Sequence, residues 1–258
     1  MGNKLDLTIG IVSYHNVSDI TTAVDTIELY TEPSIKKMVY IIDNADNEAD
    51  YQTLVQKYND VKYVKTNQNL GFGGGHNYIL QEINSDYHAI VNPDIILHED
   101  SFKTILEYMK KDESIGVCAP RLVDEQGEFL YVYRREITFF DMLVRFFFKK
   151  IFKKRYRYHI MYDADYSQPF QVPFAQGSFL VIRTKLLKEL KGFDERYFMY
   201  MEDADLCKRV NEVSKVMYFP GTTVTHKWEK GSHKNRKLFK IHLSSMKKYF
   251  KKWGFRWS

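Results

Sequence analysis

Between residues 7 and 119 the chain alternates short apolar, β-branched runs with stretches of helix length, and the runs end at polar positions. Residues 7–14 (LTIGIVSY) lead to His15 and Asn16, residues 38–42 (MVYII) to Asp43 and Asn44, residues 61–65 to a loop at 67–75, and residues 87–91 to Asn92-Pro93-Asp94. Between them, helices are predicted from a cap at Ser18 to about Tyr30, over 48–58, from the glycine loop to about Ile83, and over 100–111, before a further strand at 115–119. Regular alternation of this kind predicts an α/β domain with a mostly parallel sheet flanked by helices. Ligands of such sheets bind beyond the carboxyl ends of the strands, so Ser13, Asp43, Asn69 and Asp94 are expected to converge. A chain of 258 residues can bury a substantial core as one domain or as one domain with an appendage.

Past residue 119 the pattern loosens. Gln126-Gly127 reads as a hairpin turn between 121–123 and 129–133. Over 138–158, Phe140, Val144, Phe147 and Ile151 recur at helical spacing opposite Arg145, Lys149, Lys150, Lys153, Lys154 and Arg157. That composition fits a basic amphipathic helix lying in a membrane interface, or one packing its aromatic face on the core. Short strands are predicted at 216–219 and 222–225, followed by His226. The main domain is drawn over 1–235, and residues 236–258 as a C-terminal helix carrying Lys240, Lys247, Lys248, Lys251 and Lys252 with Tyr249, Phe250, Trp253 and Trp257.

Charge narrows the partners. The net charge of +5 gathers in these two segments, which suits a polyanion or an anionic membrane surface, while a solvated surface helix accounts for the tail equally well. No run reaches the roughly 20 apolar residues needed to span a bilayer. Cys118 and Cys207 form no metal or redox pair by spacing, which fits a reducing cytosol.

Chemistry is concentrated at 176–209. Glu202, Asp203 and Asp205 place three carboxylates within four residues, behind the run Tyr197, Phe198, Met199, Tyr200, Met201. Like charges this close repel and apolar neighbours raise carboxylate pKa values, so the cluster needs a partner or a task; acids in a helix's first turn are the simpler alternative. Asp205 and Arg209 have the i,i+4 spacing of an ion pair. Asp203 lies about 160° round the helix from Asp205, so the two acids serve different faces. Asp205 is assigned to structure, and Asp203, with Glu202, to chemistry. The glycine loop NQNLGFGGGHN (67–77) permits close backbone approach to a ligand, with amides before a helix N-terminus. It matches neither a dinucleotide fingerprint nor a Walker loop, and a tight structural turn explains it equally well. Asn92-Pro93-Asp94 offers one hard oxygen ligand for Mg²⁺ or Mn²⁺, and His226 a nitrogen, though each taken alone reads more simply as a turn and as a hydrogen-bonded surface histidine.

Taken in order, VSYHN (12–16), IIDNAD (41–46), NLGFGGGHN (69–77), VNPD (91–94), QGSFLVIR (176–183), GFDERYFMYMEDADLCKR (192–209) and His226 resemble glycosyltransferase family 2, of the GT-A fold, and most nearly its rhamnosyltransferase-like branch of bacterial surface polysaccharide synthesis. The resemblance spans about residues 7–250. It implies inverting transfer from a nucleotide sugar, dTDP-rhamnose or a UDP-hexose such as UDP-galactofuranose, to a hydroxyl of a lipid-linked glycan at the cytoplasmic face of the membrane, with no nucleic-acid partner. By position, Ser13, Tyr14 and Asp43 would lie near base and ribose. Asn69, Gly73, Asn77 and Asn92 would contact the nucleotide sugar, Asp94 and His226 would hold the divalent cation, and Asp203 would be the catalytic base beside Glu202. The chain departs from the family's DxD motif in having Asn92 at its first position, which leaves a single carboxylate. Two rivals stand beside this reading. A nucleotidyltransferase needs a basic triphosphate signature near the first strand, and residues 10–18 hold no Lys or Arg. A non-catalytic carbohydrate-binding protein would have no use for the Glu202-Asp203 pair.

Overall fold

The computed structural model describes residues 4–45, 48–227 and 236–257. The first half runs β1 (Leu5–Ser13), α1 (Val17–Tyr30), β2 (Lys37–Asp43), α2 (Glu48–Lys57), β3 (Val61–Lys65), α3 (Gly71–Tyr78), β4 (Ser85–Val91), β5 (Ile95–Ile96), α4 (Ser101–Lys111) and β6 (Ile115–Val123). The second half is more broken: β7 (Tyr133–Arg134), α5 (Phe139–Leu143) running into a π-helical turn at Val144–Phe148, α6 (Lys153–His159), β8 (Phe170–Gln171), β9 (Phe174–Ala175), β10 (Phe179–Arg183), α7 (Thr184–Glu189), α8 (Glu202–Asn211), β11 (Lys215–His226) and α9 (Arg236–Trp253).

One nine-stranded sheet has the order β3-β2-β1-β4-β10-β6-β11-β5, with β8 added to β11. β1 to β4 pair in parallel and β11 is parallel to β6, so these six strands share one direction. The mostly parallel sheet expected from the alternation is present. β10 is reversed between β4 and β6, pairing antiparallel with both. Its run FLVIR is buried over four of its five residues. The fifth, Arg183, is satisfied by the carbonyls of Ile115 and Met109 at 2.9 and 2.7 Å. Because β10 is reversed, its beginning rather than its end meets the carboxyl edge of β4, with Phe179 opposite Val91.

The core follows the periodicities. β1 is buried continuously from Leu7 to Ser13, as a strand covered on both faces must be. α1 turns Ile20, Ala23, Val24 and Ile27 inward, and α4 does the same with Phe102, Ile105, Leu106 and Met109. A second, smaller cluster of Met142, Tyr197, Met201, Ala204, Met246 and Tyr249 joins α5, α8 and α9.

Four expectations are corrected. Ser18 does not cap α1, which starts at Val17 with no side-chain cap. The glycine stretch is itself helical from Gly71. The two strands expected at 216–225 are one twelve-residue strand, β11, with an irregular register between Phe219 and Thr223. The helix expected over 138–158 is broken at the π-helical turn, and half of its apolar stripe is uncovered: Val144 is buried, but Phe147 and Ile151 are 61% and 72% exposed. The tail is helical as expected, though it is clamped on one face rather than free, and the boundary drawn at residue 235 lies outside the described residues.

Candidate active site

The carboxyl edge of the sheet collects polar groups from segments far apart in sequence. Ser13 and Asp43 face each other across the β1–β2 register and are both fully buried. Ser13 Oγ lies 2.6 Å from Tyr51 Oη, and Asp43 accepts from Tyr63 Oη at 3.0 Å and from the Ala45 amide at 2.8 Å. Tyr14, the next residue, is exposed. Ser13 and Asp43 are thus fixed by hydrogen bonds within the protein, and Tyr14 beside them is open to solvent.

At the end of β4 the chain turns through Asn92 and Asp94 into β5. The antiparallel pairing of β5 with the end of β11 sets His226 opposite Ile95, which brings His226 Nε2 to 3.2 Å from Asp94 Oδ2. The Lys227 amide donates to the Asp94 carbonyl at 3.0 Å and closes the turn. His226 is buried, and its Nδ1 has no partner among the described residues. Asp94 keeps a partly open carboxylate. An imidazole nitrogen and a carboxylate oxygen converging at a strand end are a donor set that fits Mg²⁺ or Mn²⁺. No group of three or more His, Cys, Asp or Glu is gathered among the described residues, so a cation held here would complete its shell from ligand oxygens and water.

A hydrogen-bond chain links this corner to Asp203. The Asn92 amide donates to the Ser178 carbonyl at 2.8 Å. Next to it, the Gly177 amide donates to Asp203 Oδ2 at 3.1 Å, while the Ala204 amide donates to Oδ1 at 2.8 Å. The backbone immediately before Glu202 is strained, since Tyr200 and Met201 adopt left-handed φ values of 68° and 69°. Consecutive bulky residues in that region persist only where the surroundings enforce it. Here the enforcement comes from α9: His242 stacks on Tyr200 at 4.5 Å and Ser245 Oγ donates to the Met199 carbonyl at 2.8 Å.

The three acids separate as their helical angles require. Asp205 is fully buried and pairs with Arg209 Nε at 2.8 Å, Trp253 Nε1 at 2.8 Å and Lys252 Nζ at 2.6 Å, so it ties α8 to α9. Glu202 is buried, and its Oε2 has no partner among the described residues. Burial, and then the charge of Asp203, push its carboxyl up to about 8. Burial also raises Asp203, but the Gly177 and Ala204 amides and the charge of Arg145 act the other way. At neutral pH Glu202 is mostly protonated, while the two amides on Asp203 favour its charged form against the effect of burial.

Asn69, Gly73 and Asn77 are placed less directly. Asn69 is exposed, and its side chain accepts the Gly71 amide at 2.9 Å, while the Phe72 amide donates to the Phe198 carbonyl at 3.2 Å. Two amides expected to face an anion are thus donated within the protein. Gly73 and Asn77 have tasks other than ligand contact. A side chain at 73 would meet Phe193 Cβ at 2.8 Å, and the Asn77 amide holds Phe193 through its carbonyl at 2.8 Å and its amide at 2.8 Å. The glycines let α3 lie flat under the 193–203 segment, which carries Phe72 to the Gly177–Asp203 contact. Residue-level reading missed Ser178, whose buried Oγ is unpartnered among the described residues, and Arg134 and Arg145, whose charges reach Asp203. Ser178 lies within a quoted motif, but nothing in the sequence set these two arginines apart from their basic neighbours.

Residues 8–191 match the family described as Glycosyl transferase family 2. The N-acetylglucosaminyl-diphospho-decaprenol L-rhamnosyltransferase of Mycobacterium tuberculosis is 26% identical over 237 residues, covering 85% of this chain and 75% of that protein. Rhamnosyltransferase WbbL of Escherichia coli K12 is 29% identical over 227 residues, covering 82% and 81%. Among solved structures, GalNAc-T7 with UDP, GalNAc and Mn²⁺ superposes with a TM-score of 0.68 at 16% identity, over 96% of this chain and 48% of that one. The mannosyltransferase PcManGT of Pyrobaculum calidifontis, with GDP-Man and Mn²⁺, gives 0.65 at 15% identity over 96% and 65%. The chain thus spans about half to two thirds of these structures, and the likeness is one of fold.

Proposed function

The chain belongs to glycosyl transferase family 2 and is a glycosyltransferase, and we propose that it moves rhamnose from dTDP-rhamnose to a hydroxyl of a lipid-linked glycan with inversion at the anomeric carbon. The observation that carries this reading is the position of Asp203, its carboxylate held by two amides, beside the sheet edge that also holds the Asp94–His226 pair. Both relatives are named as rhamnosyltransferases, which supports rhamnose as the transferred sugar, and the mycobacterial one names a diphospho-decaprenol-linked acceptor, which supports the acceptor class.

In this reading, Ser13, Tyr14 and Asp43 receive the nucleoside, and Asn92, Asp94 and His226 meet the diphosphate. A divalent cation bound by Asp94 and His226 would offset the charge growing on the departing diphosphate. Asp203 accepts the proton of the acceptor hydroxyl as its oxygen bonds to the anomeric carbon, and the electron pair of the breaking bond leaves with the diphosphate. Glu202, being protonated, adds no second negative charge beside the base.

A peripheral membrane position completes the proposal. Among the described residues no helix is long and apolar enough to cross a membrane. The two basic segments instead meet: the Phe139 and Phe140 amides donate to the carbonyls of Arg256 and Trp257 at 2.9 and 3.1 Å. Phe147, Phe148, Phe255 and Trp257 stay exposed there among lysines, a composition suited to an anionic headgroup layer.

The test is product analysis by mass spectrometry with a prenyl-diphosphate-linked sugar acceptor, offering dTDP-rhamnose, UDP-glucose and UDP-galactofuranose in turn. Deoxyhexose transfer that is lost in Asp94→Asn and on chelation of divalent ions is expected. Transfer from a UDP-sugar alone would overturn the donor, and no transfer from any donor would overturn the reading as a whole.

A further inference from the structure

A cavity of about 660 Å³ opens beside the catalytic segment, and its walls carry Arg134, Arg145, Lys149, Lys150, Lys153 and Arg157. No carboxylate lines it among the described residues. Arg134 is only 6% exposed; its Nη1 donates to the Tyr131 and Tyr133 carbonyls at 2.5 and 2.7 Å, and its Nε has no partner among the described residues. Neither Arg134 nor Arg145 has an ion pair among the described residues. Burying guanidinium charge with no carboxylate in contact is costly, and an arriving anion would offset that cost. The strain registers in the neighbourhood: burial pulls Arg134 down to about 10, and burial together with the Arg134 charge keeps His159 neutral. Both arginines lie within Coulombic reach of Asp203.

Size, chemistry and place narrow the ligand. The volume is that of a small-molecule site. Two arginine forks matched to phosphate oxygens, with lysines as point charges at the rim, are the usual protein answer to a phosphate or diphosphate. The cavity is built from the 129–134 turn and the 145–162 insertion, not from the strand ends where the donor is proposed to bind. Phe147, Phe148, Ile151 and Phe152, exposed in the same insertion, offer apolar surface next to the cations.

We infer that this cavity is an anion subsite for the acceptor, holding the diphosphate that links its sugar to a lipid while Asp203 takes the proton of the sugar hydroxyl. The inference rests on the acceptor class proposed above and adds the site that recognises it. It explains why the insertion is both cationic and apolar.

The test uses the full chain and farnesyl diphosphate as probe, titrated calorimetrically in saturating dTDP, with a triple variant of the exposed rim lysines, Lys149→Ala, Lys150→Ala and Lys153→Ala. Wild type should bind the probe with dTDP already in place. The variant should bind it at least tenfold more weakly and with a shallower salt dependence, while its dTDP affinity stays within about twofold. Displacement of the probe by dTDP would assign the diphosphate to the donor site and overturn the inference, as would equal probe binding by variant and wild type. Donor turnover by wild type, measured separately, tells failure of the transferase reading from failure of this subsite.

Discussion

Asp203 and Glu202 are neighbours in sequence but meet different surroundings, and the difference can be measured. Glu202 is buried with its folded pKa raised to about 8 from an ordinary value of 4.5. Between those values the folded state holds a proton that the unfolded state has released, so stability is full below about 4.5 and is lost as pH rises towards 8. The slope can reach about 1.4 kcal/mol per pH unit. Glu202→Gln, neutral at every pH, should flatten this fall in a denaturant series from pH 5 to 8.5 and leave the variant more stable than wild type at pH 8. A parallel fall in both proteins would show that Glu202 is not the group responsible. That Asp203 and Asp205 would meet different partners was legible in the sequence, because 100° per residue puts them on different faces. That the Glu202 carboxyl is pushed up so far was not legible, since it depends on its burial beside Asp203 and on the Gly177 amide going to Asp203 instead.

At the scale of elements, the glycine helix shows what the sequence could and could not convey. A glycine-rich stretch before a helical pattern has two readings, ligand contact and close packing, and only tertiary neighbours decide between them. At Gly71, φ is 74° and an added Cβ would overlap the Phe198 carbonyl oxygen. Gly71→Ala should therefore cost about 3 kcal/mol or more and weaken activity by shifting the 198–203 segment. Gly127, at φ 80° with nothing near its Cβ position, is the control: Gly127→Ala should cost only about 1–2 kcal/mol and leave activity unchanged. Thermal or denaturant unfolding of the two variants separates packing from backbone strain alone. The insertion was legible as basic and aromatic but not as broken, because helical spacing persists in sequence across the π-helical turn that interrupts it. β10 lies within the quoted motif QGSFLVIR, but neither its strand character nor its reversed direction was read from the sequence, since strand sense is set by the connections that precede it.

For the whole molecule, convergence is the decisive property. Strand alternation alone implied that Ser13, Asp43, Asn69 and Asp94 would share an edge, and the order β3-β2-β1-β4 sets the ends of the four strands that precede them side by side. The arrival of His226 and Asp203 at the same edge required the long-range pairings of β5 with β11 and of β10 with β4, which no local pattern specifies. The exposed aromatic and lysine face is likewise a property of the assembled chain. Flotation with vesicles containing anionic lipid should bring the protein up at low salt and release it at high salt, while neutral vesicles leave it behind; equal flotation on both would remove the electrostatic part of the reading. The central claim is that Asp203 is the base of the transfer. It is tested most directly by the rate of sugar transfer in Asp203→Asn, measured beside donor binding. The expected result is a fall in kcat of about 10²- to 10⁴-fold with donor affinity nearly unchanged, and transfer at close to the wild-type rate would contradict it.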